Sequence, residues 1–74
     1  MSIDLKIRAM TAISALNSAG ITQYVPLIVA KHPSAKTKGK ESLIREVANG
    51  RKTDLEITMW LEELVEIHAH KQSA

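Results

Sequence analysis

The stretch ITQYVPLIVAKHPSAKTKGKESLIREVANGRK, residues 21–52, decides the fold, because its division into elements sets where everything on either side of it can lie. Its first part carries Val25, Ile28 and Val29 at helical spacing. Thr22 is suited to cap that helix, and Pro26 falls in the first turn, where a missing N–H sacrifices little hydrogen bonding. Ile21 and Pro26 then take the two positions of a hydrophobic staple. Pro33 disfavours helical geometry at His32, so the helix should end near Lys31. A strand over the β-branched run VPLIV is the alternative. HPSAKTKGK, residues 32–40, has no apolar period and reads as a polar, basic, mobile connection. From Lys38 or Lys40 a further helix turns Leu43, Ile44 and Val47 inward and leaves Ser42, Arg45, Glu46 and Asn49 on its other flanks. Asn49-Gly50 stops it, since glycine accepts the left-handed conformation of a helix end.

On the amino side, residues 1–17 place Ile3, Ile7 and Met10 on one helical line and Leu5, Ala9, Ile13 and Leu16 on an adjoining one. Ser2 is the expected N-cap, Asp4 sits near the positive end of the peptide dipoles, and Gly20 marks the C-terminal cap. On the carboxyl side, Thr53-Asp54-Leu55-Glu56 has the form of a capping box, opening a helix with Ile57, Trp60, Leu61, Leu64, Val65 and His68 on its apolar stripe and Glu62, Glu63 and Glu66 outside it. The expectation is an all-α bundle of four to five short helices forming one domain over residues 1–74, with a core about 3–68.

A chain of 74 residues hides only about 60% of its unfolded surface, so its stability margin is thin. With 45% hydrophobic residues but one Trp, one Tyr and no Phe, the core must be aliphatic. The absence of cysteine excludes disulfides and thiolate metal sites and fits a reducing, cytoplasmic setting. YVPLIVA is too short to span a bilayer, and MSIDLKIRAM carries charge where a signal peptide needs an apolar run, so a soluble protein without membrane association is expected. The net charge of +2 conceals an asymmetry. Residues 1–53 hold nine Lys/Arg against three Asp/Glu, and residues 54–74 hold one against five. Within residues 31–52 the ratio is seven to two, a cluster that attracts polyanions.

Ile21-Thr22-Gln23, the run from Ile44 through Val47, Asn49 and Gly50 to Arg51-Lys52, and the helix beginning after Thr53 resemble the Cro/repressor type of helix-turn-helix, the XRE family. That family opens its second helix with Leu/Ile-Thr-Gln and ends its recognition helix in a pattern like Ile-x-x-Ile/Val-x-Asn-Gly-Lys/Arg. The chain departs from it in a longer connection, the excess falling in HPSAKTKGK, and in lacking a separate fifth helix unless the chain bends beyond Glu62. The resemblance implies a small sequence-specific transcriptional regulator, a Cro-like repressor of phage or mobile-element type, with double-stranded DNA as partner and no cofactor, small-molecule substrate or catalytic residue.

In that setting a polar helix enters the major groove, where residues near its start read base edges. Ser42, Arg45 and Asn49, with Glu41 as a further candidate, would be readers. Lys36, Lys38, Lys40, Arg51 and Lys52 would neutralise phosphates, and Gln23 would bond another through its amide. Four to six such contacts give a log-log salt slope of roughly −4 to −5. Simpler roles compete: solubilising charge for the lysines, an Arg45–Glu41 helix pair, and a plain helix terminus for Asn49-Gly50.

The apolar stripe of the last helix is wider than a small domain needs, so Trp60, Leu64 and Ile67 are the expected interface of a homodimer gripping two half-sites. No phosphate loop, cysteine nucleophile or paired-carboxylate set points to an enzyme. His68 and His70, one residue apart with no third ligand, suit a tail better than a metal site. The alternative function is a helical protein-interaction module of inhibitor, antitoxin or anti-restriction type that works through the acidic last helix.

Overall fold

The apolar spacing of the first segment becomes α1, Ser2–Ser18, in the computed structural model, which describes residues 2–69. Ala9, Ala12 and Leu16 are buried, with Leu5 and Ile13 half-buried beside them, so this line faces the core. The other line is divided: Ile3 and Ile7 are exposed at 66% and 59%, while Met10 is half-buried and packs against the core. Ser2, the expected cap, is itself the first helical residue. The helix closes with Gly20 at φ 85°, whose amide bonds the Asn17 carbonyl while the Ile21 amide reaches back to Leu16 at 2.8 Å. This paired bonding consumes two carbonyls that the helix end would otherwise leave free.

α2 spans Tyr24–Lys31 and stops before Pro33. Its cap position falls on Gln23, one residue later than the expected Thr22, and no side chain bonds the free amides there. The β-branched run is helical, and its strand alternative is excluded. The basic connection is also structured: Pro33–Ala35 forms a 3-10 turn, Ala35 is fully buried, and the Thr37 hydroxyl accepts from the Lys40 amide at 3.1 Å to cap the next helix. The residues in excess of a tight turn are thus spent on a pinned corner.

α3, Lys38–Ala48, buries Ile44 and Val47 and half-buries Leu43. It ends as α1 does, with Gly50 at φ 77° and the Arg51 amide bonded to the Glu46 carbonyl at 2.9 Å. α4, Leu55–Leu64, is capped by Asp54, whose carboxylate accepts from the Ile57 amide at 3.0 Å, so the cap lies one residue past the expected Thr53. Glu56, expected to complete a capping box, reaches Lys40 instead. Ile57, Leu61 and Leu64 are buried, as is Thr58, whose hydroxyl donates to the Asp54 carbonyl at 2.7 Å. A π turn, Val65–Ala69, follows without a break. Four α-helices thus pack around an aliphatic core of Leu16, Ile28, Ile44, Val47, Ile57 and Leu61, an all-α bundle without strands among the described residues. Among the described residues no helix is long and apolar enough to cross a membrane.

Candidate nucleic-acid interface

α3 has two faces of opposite character. Lys38, Ser42, Arg45 and Asn49 stand at successive offsets of four, three and four residues, which return to one side of a helix of about 3.6 residues per turn. All four are exposed and none is acidic. The opposite side carries Ile44 and Val47, both fully buried, so the core holds the stripe outward. Arg45 forms no ion pair with Glu41 among the described residues, and its guanidinium is free to meet a ligand.

The start of α2 lies against the end of this stripe. A cleft of about 370 Å³ is lined by Gln23, Val25, Pro26, Arg45, Ala48 and Asn49, so three of the expected contact residues meet in space. Gln23 is exposed and makes no cap bond, which leaves its amide open to a ligand. Beyond Asn49, Arg51 and Lys52 are exposed, with an Arg51 guanidinium nitrogen 3.8 Å from Glu46. They share a hollow of about 420 Å³ with Ile3, Gly50, Thr53 and Lys6. Lys6 belongs to this basic end although it lies more than forty residues away in sequence, and no local pattern marks it. α1 passes close to Gly50: a Cβ on that residue would stand in ordinary contact, 3.5 Å from the Met10 sulfur and 3.6 Å from the Lys6 stem.

Lys40 does not join the stripe. Its ammonium lies 2.8 Å from Glu56 and 5.5 Å from the Trp60 ring centre. The Glu56 hydrogen bond raises its pKa above the ordinary value of 10.5. The cause is its phase: Lys40 precedes Ile44 by four residues and Val47 by seven, on the inward side of α3. Lys36 is exposed just after the buried Ala35, on the 3-10 corner and outside α3. Glu41 is half-buried on a flank.

Two of the three residues expected to join two copies, Trp60 and Leu64, are engaged within one. Leu64 is 2% exposed and belongs to the core. Trp60 is half-buried and stacked with His32, ring centres 4.7 Å apart and planes 16° from parallel. The His32 Nε2 is 2.7 Å from Glu63. Ile67 is half-buried in the π turn, as is His68, and His70 lies outside the described residues. No three metal-ligating side chains come together among the described residues. On the side of α4 that meets α1, Arg8 binds Glu62 through both ends of its fork, at 2.7 and 3.0 Å. That hydrogen bonding outweighs partial burial and lowers the Glu62 pKa below its ordinary value of 4.5.

No family model, curated protein or solved structure matches this chain.

Proposed function

We propose that the protein is a small DNA-binding regulator that lays the outward stripe of α3 in the major groove. The observation that carries this reading is the uninterrupted, acid-free line Lys38, Ser42, Arg45, Asn49, held outward by the buried Ile44 and Val47. Arg45 supplies the planar fork that reads guanine, and Ser42 and Asn49 can each donate to or accept from a base edge. Lys38 at one end of the helix and Arg51 and Lys52 at the other meet the flanking phosphates, with Gln23 as a neutral backbone contact. The acidic residues of α4 point elsewhere and are largely occupied in holding the bundle together. A Cro-like repressor is the specific role that the sequence resemblance suggests for such a module.

Counterion release makes the reading measurable. Four cations, Lys38, Arg45, Arg51 and Lys52, give a log-log salt slope of about −3.6 on random-sequence duplex, and Lys38→Ala with Arg45→Ala brings it to about −1.8. Fluorescence anisotropy across a salt series reads both values, and because both side chains are exposed the double variant should keep its melting temperature. An absence of duplex binding at low salt would overturn the proposal. It would favour the protein-interaction reading, for which α4 offers Leu55 and Met59, exposed at 52% and 53%.

A further inference from the structure

The first half of the outward line of α1 is left largely uncovered by the rest of the fold, while Met10 packs against the core. Ile3 and Ile7 are more than half exposed there, and Ile7 borders two adjoining apolar depressions. One, of about 650 Å³, lies on α1 itself over Met10, Thr11 and Ser14; the other, of about 730 Å³, is the groove between α1 and α4 that Met59 and Val65 line. Two exposed isoleucines one helical turn apart beside such hollows need covering more than scattered surface residues do.

We infer that this face takes a second copy of the chain, with the two α1 helices antiparallel about a two-fold axis passing between Met10 and Thr11. The sequence of the face fits itself in that arrangement. Its first half is large, Ile3 and Ile7, and its second half is small, Ser14 and Ser18. Antiparallel pairing sets Ile3 against Ser18 and Ile7 against Ser14 of the other copy, so each large side chain meets a hollow. Charge selects the same orientation. Asp4, Lys6 and Arg8 all lie in the first half, and residues 9–18 contain no charged residue. Parallel pairing would stack like charges, whereas at a rise of 1.5 Å per residue antiparallel pairing holds the two Lys6 positions about 13 Å apart along the axis, beyond the screening length of about 10 Å in 0.1 M salt, and the two Arg8 positions, about 8 Å apart, are each already paired with Glu62.

Symmetry adds a consequence. Lys6 and Arg8 flank the Ile3–Ile7 line on opposite sides, Lys6 toward Arg51 and Lys52, Arg8 toward Glu62 of α4. A two-fold axis across the face keeps matching flanks together, so the basic ends of both copies share one edge of the dimer and the acidic α4 helices the other. α1 has 17 residues and is about 25 Å long. A contact of that size falls in the weak, concentration-dependent class of interfaces.

The pairing stands apart from the DNA reading and is tested without DNA. Sedimentation velocity from 10 µM to 1 mM should show the mass rising from 8.2 kDa toward twice that value, and Ile7→Lys, exposed and therefore compatible with the fold, should weaken dimerisation by about tenfold or more (about 1.4 kcal/mol). Cross-linking tests the orientation, since the chain has no cysteine of its own. The Ile7→Cys, Ser14→Cys double variant should form a covalent dimer under mild oxidation. Either single variant should not, because its two sulfurs would be separated by about 10 Å of helix, and a disulfide needs Cα atoms about 4.4–6.8 Å apart. A monomer at 1 mM, or single variants that cross-link as readily as the double, would overturn the inference.

Discussion

The Asp54 carboxylate takes up the Ile57 amide at 3.0 Å and so satisfies one of the free donors that open α4. Asp54→Ala should therefore lower stability by about 1 kcal/mol, read as a shift in the urea midpoint, while Thr53→Ala, which removes no cap bond, should stay within about 0.5 kcal/mol of the parent. A reversed order would return the cap to Thr53. Gly50 poses a second test at this scale. At φ 77° any L side chain is strained, although a Cβ there would make only ordinary contact with Met10. Gly50→Ala is expected to cost about 1–2 kcal/mol, whereas Gly39→Ala, in the first turn of α3 with open space around it, should be neutral or stabilising by up to about 1 kcal/mol. Thr53 and Asp54 are neighbours that can both cap, Asp somewhat the better, and the packing of Ile57 and Leu61 fixes the helix phase that Asp54 serves.

Most helices were legible because each carries its own period and its own stop. Gly20, Pro33 and Gly50 end α1, α2 and α3 where the residue types require it. The 3-10 corner was not legible, because a single alanine among Lys, Thr and Ser has no periodic neighbour to mark it as buried. Its burial makes a prediction about the element: Ala35→Leu should destabilise by about 1–3 kcal/mol through overpacking, visible as a lowered thermal midpoint, while Lys36→Ala beside it should leave that midpoint unchanged. The outward stripe of α3 could be read from spacing alone, and so could the defection of Lys40, which keeps helical register with Ile44 and Val47. The contribution of Lys6 could not, since it depends on α1 crossing Gly50. The acceptance of Ile3 and Ile7 at the surface was equally hidden. Two apolar lines on one helix exceed what three short neighbours can cover, and the chain alone does not say which line is left out.

Across the whole molecule α4 acts as the hub. Glu62 ties it to α1 through Arg8, Glu56 to α3 through Lys40, and Glu63 to the end of α2 through His32. The acidic face that charge counting assigned to solvent is therefore also the seam of the bundle, and this makes stability depend on pH in a definite direction. The folded Glu62 carboxyl titrates below its ordinary 4.5 because the Arg8 hydrogen bonds favour its charged form. As pH falls through that range the unfolded chain takes up the proton first, so the contribution is complete above 4.5 and is lost as pH drops through the lower folded value. Lys40 behaves in the opposite sense. Its raised folded pKa makes its pairing with Glu56 complete below the ordinary 10.5 and lost as pH climbs above it. Thermal melts of the parent and Arg8→Gln should differ near neutrality and converge as pH falls below 4.5, and those of the parent and Lys40→Gln should converge as pH climbs above 10.5. Each convergence at its own end of the scale, with no crossing between, is the expected result. A constant gap for Arg8→Gln down to pH 2 would mean that Arg8 acts by covering the α1–α4 groove with its aliphatic stem and that its charge contributes nothing.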